Sequence, residues 1–253
     1  MAITSAGVIG AIFGSFLNVV AYRLPRHESV VKPRSRCPSC GVPVRPIDNV
    51  PVLSWFLLRG RCRGCSTRIS ARYPLVEAAT ALLLVGVVLT QHSAADVALG
   101  VALVLLLVPC ALIDLDYHII PNVLTGPGAV VAIVLGTALD PSGEPGRLIA
   151  GAAAGGFLLL AALVYPPGMG MGDVKLAGTM GLLLGAAVAP ALLIAMLVGI
   201  VAGVVIIARG GSDGAGSARK TGVPFGPFLA IGGLVALFVG TPLVNLYLNH
   251  FVH

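Results

Sequence analysis

The sequence predicts an all-α polytopic membrane protein of about eight transmembrane helices, with a small zinc-knuckle insert on the cytoplasmic side. Three observations support this prediction: the composition, the spacing of the apolar runs, and one polar stretch that carries paired cysteines. Of 253 residues, 57% are hydrophobic without counting the 33 glycines, and 10% are charged, against roughly 45–50% with glycine included and roughly 25% in soluble domains. This composition, with a mean hydropathy of +0.98, argues against a soluble enzyme, a secreted disulfide scaffold, a disordered protein and a nucleic-acid binder.

The apolar runs define the expected helices. The first, Ile3 to Tyr22, has no basic segment before it and no cleavage site after it, so we expect a retained anchor. Most of the other runs are near the roughly 20 residues that span a bilayer. They cover about 75–91, 97–113, 122–139, 147–165, 175–188, 189–208 and 225–247. The break at Ala189–Pro190 is the least defined, since 175–208 fits two short helices or one long tilted helix.

The positive charges predict the topology. Eleven of the 16 Lys and Arg residues fall between Arg23 and Arg72, and cationic loops next to membrane helices stay in the cytoplasm, beside anionic lipids. Alternation then puts the amino terminus outside, the loops 114–121 and 166–174 inside, and a flexible linker, 209–223, also inside. Fifteen of the sixteen cations are then cytoplasmic, and Arg147 is the exception.

Three segments follow: a first transmembrane helix (1–22), a cytoplasmic zinc-binding insert (23–73) and a membrane-embedded domain (74–253). The insert carries Cys37-Pro-Ser-Cys40 and Cys62-Arg-Gly-Cys65. Each pair puts two thiolates on one turn, and two turns complete a tetrahedral zinc site without an open position, which predicts a structural role. Two disulfides are the alternative, disfavoured in a reducing cytoplasm. Cys110, inside an apolar run, is expected to be a packing residue.

Carboxylates at the ends of apolar runs are the candidate catalytic groups. Asp114 and Asp116 follow the run that ends at Ile113, and Asp173 closes Gly168-Met-Gly-Met-Gly-Asp173. An ionisable residue at membrane depth is a functional hypothesis by default. The alternatives stay open from the residues alone, because Asp173 suits a helix N-cap and the other two suit an interface.

The predicted topology brings these carboxylates to one membrane face. Two carboxylates that approach to about 3 Å share one proton, and the pair can activate water and protonate a carbonyl oxygen, which is aspartyl peptide hydrolysis. Gly170 and Gly172 are expected substrate-binding positions, because they let an extended backbone approach Asp173. Asp114 and Asp116 point about 200° apart on a helix, and Asp114 is preferred because it lies deeper. Lys175 is expected to snorkel.

The chain resembles the type IV prepilin peptidases, intramembrane aspartyl peptidases of the Gly-x-Gly-Asp type. The resemblance covers nearly the whole chain and is carried by eight short segments. They are Gly14-Ser-Phe-Leu-Asn-Val-Val-Ala-Tyr-Arg-Leu-Pro25, the two cysteine pairs, Arg72-Tyr-Pro-Leu-Val-Glu77, Ile113-Asp-Leu-Asp with Ile120-Pro-Asn122, Gly168-Met-Gly-Met-Gly-Asp-Val-Lys175, and Pro224-Phe-Gly-Pro-Phe-Leu-Ala-Ile231. The family's two catalytic aspartates fall on Asp114 and Asp173.

The resemblance implies a multi-pass enzyme of the bacterial cytoplasmic membrane. It implies removal of the leader peptide of type IV prepilins and pseudopilins on the cytoplasmic side. Family members often also methylate the new amino terminus with S-adenosylmethionine. The insert with nearby Gly60, Arg61 and Glu77 is where we expect that second activity, and the short stretch between Pro25 and Cys37 leaves its retention open.

Two other functions fit parts of the pattern. A proton-coupled transporter also uses membrane carboxylates and broken helices, but here the acidic motifs lie at one face and no inverted repeat is visible. A non-catalytic assembly protein would keep the fold, and retention of both aspartates and all four cysteines argues against it.

Overall fold

The structure is a computed structural model that describes residues 2–164, 169–209 and 224–251. The chain divides into two compact units, one ending at Thr90 and the other beginning at Gln91. The α-helices of the described residues are α1 (Ala2–Arg23), α2 (Leu53–Leu57), α3 (Arg72–Thr90), α4 (Ala94–Tyr117), α5 (Asn122–Leu139), α6 (Glu144–Val164), α7 (Met171–Leu184), α8 (Val188–Arg209) and α9 (Gly226–Phe251). The linker expected at 209–223 lies outside the described residues beyond Arg209, as does part of the loop 166–174.

Apart from α2, these helices are apolar enough to lie in a membrane. Seven stretches of the described chain are long and apolar enough to cross one, with Met171–Ile206 counted as a single stretch. Large apolar side chains on their outer surfaces, such as Leu82, Leu160 and Val164, are exposed, as expected where the solvent is lipid. The all-α polytopic fold class is therefore confirmed, and the chain is a multi-pass membrane protein.

The stretch from Met171 to Ile206 is two helices joined by a tight turn. A 3₁₀ turn, Gly185–Ala187, separates α7 from α8, and Gly185 has a φ of +57°, which glycine adopts readily. The break therefore lies a few residues before the predicted Ala189–Pro190. Pro190 stands in the first turn of α8, where the missing N–H costs nothing.

Contacts along α8 and α9 show that α8 returns toward the end where α7 begins. Gly199 of α8 lies against Phe228 near the start of α9, and Ala187 lies against Gly240 farther along α9. The two helices are therefore antiparallel. Because α9 begins beside Asp114, at the end where α7 also begins, α7 and α8 run in opposite directions. Counting them as two helices gives eight membrane helices among the described residues, in agreement with the sequence-based expectation of about eight.

The unit ending at Thr90 is built on close packing between α1 and α3. A Cβ at Gly10 or Gly14 would lie 2.7 Å from the α3 backbone, at Ala81 and Glu77 respectively. Small residues permit this approach, which is how membrane helices gain packing contacts. The buried Asn18 amide donates to the carbonyl oxygen of Tyr73 at 3.3 Å and ties the two helices together.

The second unit is organised around α4, whose Leu103, Leu107 and Ile113 are fully buried. Beside it, α6 and α7 pack through glycines. A Cβ at Gly181 would lie 2.6 Å from the Ala150 carbonyl oxygen, so the two backbones touch. This core fixes the ends of α4 and α7, where the candidate aspartates stand.

Arg147, the one cation expected outside, is buried in an ion-pair cluster at the C-terminal end of α5. Its guanidinium bonds Asp140 at 2.8 Å and Glu144 at 3.1 Å, and donates to the Gly136 carbonyl oxygen at 3.2 Å. The guanidinium also holds the pKa of the Asp140 carboxyl below its usual range. Arg147 thus joins α5 to α6 as a neutralised charge, which explains its departure from the charge pattern.

Candidate active site

Asp114 lies in the last turn of α4 and is buried, with 6% of its surface exposed. Its Oδ2 accepts a hydrogen bond from the backbone N–H of Gly226, at the start of α9, at 2.8 Å. A Cβ at Gly226 would lie 2.7 Å from the same oxygen, so only glycine lets this backbone come so close. Asp116, two residues on, is exposed. The structure thus gives the two aspartates the opposite placements that the depth argument predicts.

Asp173 lies in the first turn of α7 and is also buried, with 8% of its surface exposed. Its Oδ2 accepts the backbone N–H of Gly170 at 3.1 Å. Gly170 is the N-cap residue and Asp173 is the third residue of the helix, so Asp173 supplies the capping-box bond and not the N-cap itself. The carboxylate is therefore fixed by the turn that leads into α7.

The two aspartates belong to the same end of the second unit, where the loop after α4 meets the start of α7. Ile120, in the loop after α4, packs against Gly172, one residue before Asp173. A Cβ at Gly172 would lie 2.9 Å from the Ile120 Cβ. The loop that follows one aspartate therefore packs on the turn that carries the other.

The predicted glycines differ in their surroundings. Gly170 is exposed, and a Cβ there would come no nearer than 3.4 Å to another group. Gly172 is half-buried beneath Ile120. Lys175, expected to snorkel, is exposed and donates to Asn122 Oδ1 at 2.9 Å, which joins the starts of α7 and α5.

In the first unit, the four cysteines of the insert converge. Their sulfurs all lie within 4.8 Å of one another, with Cys37 to Cys65 at 3.8 Å and Cys40 to Cys62 at 4.0 Å. Four thiolates around zinc, each at about 2.3 Å, are themselves about 3.8 Å apart. Disulfide sulfurs would be about 2.05 Å apart, and all four cysteines are free thiols. The donor set and its spacing fit a tetrahedral metal ion.

The two knuckles share one backbone design. The N–H of the first cysteine in each pair bonds a carbonyl oxygen five residues later, from Cys37 to Val42 and from Cys62 to Thr67, both at 2.9 Å. The residue after the second cysteine has a positive φ in both, at Gly41 and Ser66. Hydrogen bonds with Thr67 lower the pKa of the Cys65 thiol to about 6, whereas desolvation and the neighbouring thiols raise the pKa of Cys40 to about 11.

Comparison with known proteins identifies the family. Residues 8–91 match the bacterial peptidase A24 N-terminal domain, and residues 101–207 match the type IV leader peptidase family. A protein of Aeromonas hydrophila named prepilin leader peptidase/N-methyltransferase is 37% identical over 95% of this chain and 92% of its own length. The chain belongs to the type IV leader peptidase family.

Other leader peptidases show the same relationship. Relatives with the same name from Neisseria gonorrhoeae and Myxococcus xanthus are 33% and 40% identical, over 98% and 82% of this chain and 96% and 64% of their own lengths. No solved structure is significantly similar to the chain. Membership in the leader peptidase family makes the chain a protease, and none of these relatives is named as a transporter.

Gly226 is a site residue that the sequence argument did not assign. It stands in the Pro224-Phe-Gly-Pro segment, which carries the resemblance to the family but had no predicted role. Its bond to Asp114 joins residues 112 positions apart in the chain. The sequence does place a proline on each side of this glycine, Pro224 and Pro227, which indicates a constrained backbone at this position.

Proposed function

We propose that this leader peptidase removes the leader of type IV prepilins and pseudopilins with Asp114 and Asp173 as its catalytic pair. One observation carries the proposal: two buried carboxylates, from different helices, stand at the same end of one helical bundle. The names of the relatives supply the substrate class. A transporter would need carboxylates along a path through the membrane, whereas these stand at one end.

The chemistry follows from the pairing. When the pair holds one proton, the ionised carboxylate takes a proton from water as the oxygen attacks the scissile carbonyl, and the protonated partner donates to the carbonyl oxygen. Collapse of the tetrahedral intermediate breaks the C–N bond. The departing amine takes the proton that came from water, and a hydroxyl of the intermediate returns a proton to the other carboxylate, so the pair again holds one proton. The Gly226 N–H orients Asp114 and the Gly170 N–H orients Asp173. Gly170, which is exposed, then leaves the substrate backbone room beside Asp173, whereas the space beside Gly172 is filled by Ile120.

The substrate side is proposed from charge. The concentration of Lys and Arg between Arg23 and Arg72 supports a cytoplasmic insert and an external amino terminus. Because α4 ends and α7 begins at the face that alternation makes cytoplasmic, the aspartates would meet a leader that has stayed inside the cell. We keep the division into an anchor (1–22), an insert (23–73) and a catalytic domain (74–253) as part of this proposal.

We propose that the cysteine cluster of the insert holds one structural zinc ion. Four sulfur donors at tetrahedral spacing support zinc, and they leave no position for substrate or water. Zinc bound there would supply folding free energy to a segment too small for a large core. Methylation with S-adenosylmethionine is proposed only as a second activity, because the relatives are named N-methyltransferases as well as leader peptidases.

Co-expression tests the proposal. The chain and a prepilin with a tagged carboxyl terminus are produced in a bacterium that lacks its own prepilin peptidase. We expect the prepilin to lose its leader, seen as a shorter band and as a new amino terminus by mass spectrometry. An unprocessed prepilin beside a folded, membrane-inserted enzyme would refute the assignment, and proton-coupled uptake by proteoliposomes would favour a transporter.

A further inference from the structure

Five exposed apolar side chains form a patch on the insert. Leu53, Phe56 and Leu57 stand at helical spacing on one face of α2, and Ile47 and Val50 lie on and just after the preceding 3₁₀ turn, Pro46–Asn49. Leu57 is 80% exposed and Ile47 is 71% exposed. We call these five residues the apolar patch. Large apolar side chains exposed together outside the membrane helices mark an interaction surface.

The opposite face of α2 packs within the insert. Ser54 is buried, and its hydroxyl donates to the Ile47 carbonyl oxygen at 3.0 Å. The Trp55 indole N–H donates to the Ile69 carbonyl oxygen at 3.1 Å, and its ring covers Gly60. The apolar patch is therefore the outer face of a helix whose inner face is already occupied.

A hydrogen bond with α3 keeps the start of α2, and with it the apolar patch, close to a membrane helix. The Val52 N–H, at the start of α2, donates to the buried Glu77 carboxylate at 2.7 Å. Glu77 lies five residues into α3, about 7 to 8 Å along its axis, beyond the lipid-facing Leu75. The start of α2 is thus hydrogen-bonded to α3 at a point more than one turn into that membrane helix.

The backbone at Val52 supports the same anchoring. Val52 has φ +63° and ψ −55°, and the Leu53 N–H bonds the Pro51 carbonyl oxygen at 2.6 Å, which is a γ-turn of the rare positive-φ form. A β-branched residue adopts this conformation only where its surroundings impose it. Here the Val52 N–H is bonded to the carboxylate of Glu77.

We propose that the apolar patch enters the headgroup region of an anionic lipid leaflet, so that the insert is docked on the membrane surface. The charge around it suits that partner, because the segment 23–72 has eleven basic residues and two acidic ones, with Arg45, Arg59 and Arg61 exposed near α2. Apolar side chains flanked by cations are the features of interfacial segments. Docking is independent of the proposed cleavage reaction and is tested without it.

The single tryptophan of the chain, Trp55, lies on the inner face of α2 and reports the depth of the apolar patch through its neighbour Phe56, whose ring is 5.3 Å away. The full-length protein is placed in nanodiscs whose lipids carry bromine, a fluorescence quencher, near the carbonyl end or near the methyl end of the acyl chain. Side chains at this interface lie about 5–10 Å deep, so we expect carbonyl-end bromine to reduce Trp55 emission roughly twofold, and more than methyl-end bromine. Anionic lipid should strengthen the effect.

Matched variants separate docking from unrelated effects. Leu57→Glu puts a charge in the apolar patch, and Val31→Glu puts one at a similarly exposed position elsewhere in the insert. We expect the first to remove most of the quenching and the second to leave it unchanged, with equal zinc content by elemental analysis. Emission of the unaltered protein that no bromine position quenches would overturn the proposal, whatever the variants do. Quenching that does not rise with anionic lipid would overturn the choice of headgroup.

Discussion

At the scale of single residues, Gly226 controls the position of Asp114. Gly226→Ala would put a Cβ 2.7 Å from Asp114 Oδ2 and 3.0 Å from its Cγ, so the carboxylate has to move. A displacement of about 1 Å at a catalytic group costs on the order of 100-fold in rate. We expect a loss of that size in kcat for leader cleavage, with a smaller change in KM, measured on a purified prepilin.

Gly126→Ala is the matched control for Gly226→Ala, because nothing lies within 4 Å of the position that its Cβ would take. It should cleave at nearly the normal rate. Equal losses in both variants would show that activity responds to helix glycines in general and not to the contact with Asp114.

The two aspartates illustrate what sequence can predict at this scale. Depth along a helix separates buried Asp114 from exposed Asp116, because side chains two residues apart point in opposite directions. The bond from Gly226 to Asp114 has no such local basis. It depends on how α9 packs on α4, and no spacing in the sequence encodes that contact.

At the scale of elements, the paired knuckles are expected to depend on their metal. The purified protein should carry about one zinc ion per chain, and Cys62→Ser should lower the zinc content and make the insert sensitive to proteolysis. Cys110→Ala, which removes the buried thiol of α4, should keep the zinc. Elemental analysis that finds no metal, with two disulfides by mass spectrometry, would contradict the site and the reducing compartment together.

The contact between α6 and α7 offers a second test at this scale. Gly181→Ala forces a Cβ to within 2.6 Å of the Ala150 carbonyl oxygen, whereas Gly156→Ala on α6 meets nothing within 4 Å. Overpacking of this kind costs about 1–3 kcal/mol. We expect Gly181→Ala to lower the thermal unfolding temperature in detergent and Gly156→Ala to leave it unchanged or raise it. The opposite order would mean that the two helices are not in backbone contact.

The turn between α7 and α8 shows where prediction of elements fails. Hydropathy indicates an apolar stretch of the right length, but Pro190 suggested a break that the structure places at Gly185–Ala187. Proline fits the first turn of a helix, so it follows the break. Gly185 has the positive φ that makes the turn, and one such glycine cannot be recognised among 33.

At the scale of the whole molecule, the charge pattern predicts the orientation. A thiol reagent that cannot cross the membrane should label Ser142→Cys in intact cells, because this exposed residue lies in the α5–α6 turn, at the face that the charge pattern predicts to be external. Val31→Cys, in the insert, should be labelled only after the cells are opened. Labelling of Val31→Cys in intact cells would put the insert outside, on the wrong side for a leader that stays in the cytoplasm.

The number of helices could be predicted because the length of each apolar run is visible in the sequence. The packing of the helices against one another could not be predicted in this way. Glycine contacts such as Gly14 with Glu77 depend on which helices become neighbours. Arg147 shows the same limit, since the sequence places it outside but does not predict its ion pairs with Asp140 and Glu144.

Leader cleavage by aspartate variants tests the catalytic pair most directly. Asp114→Asn and Asp173→Asn each keep an oxygen that can accept the Gly226 or Gly170 N–H, so folding and zinc content should persist. Each should lower cleavage by more than about 1,000-fold, and the double variant should be no worse, because members of one catalytic unit are not additive. Asp116→Asn should keep substantial activity. Normal cleavage by Asp173→Asn would contradict the aspartyl mechanism.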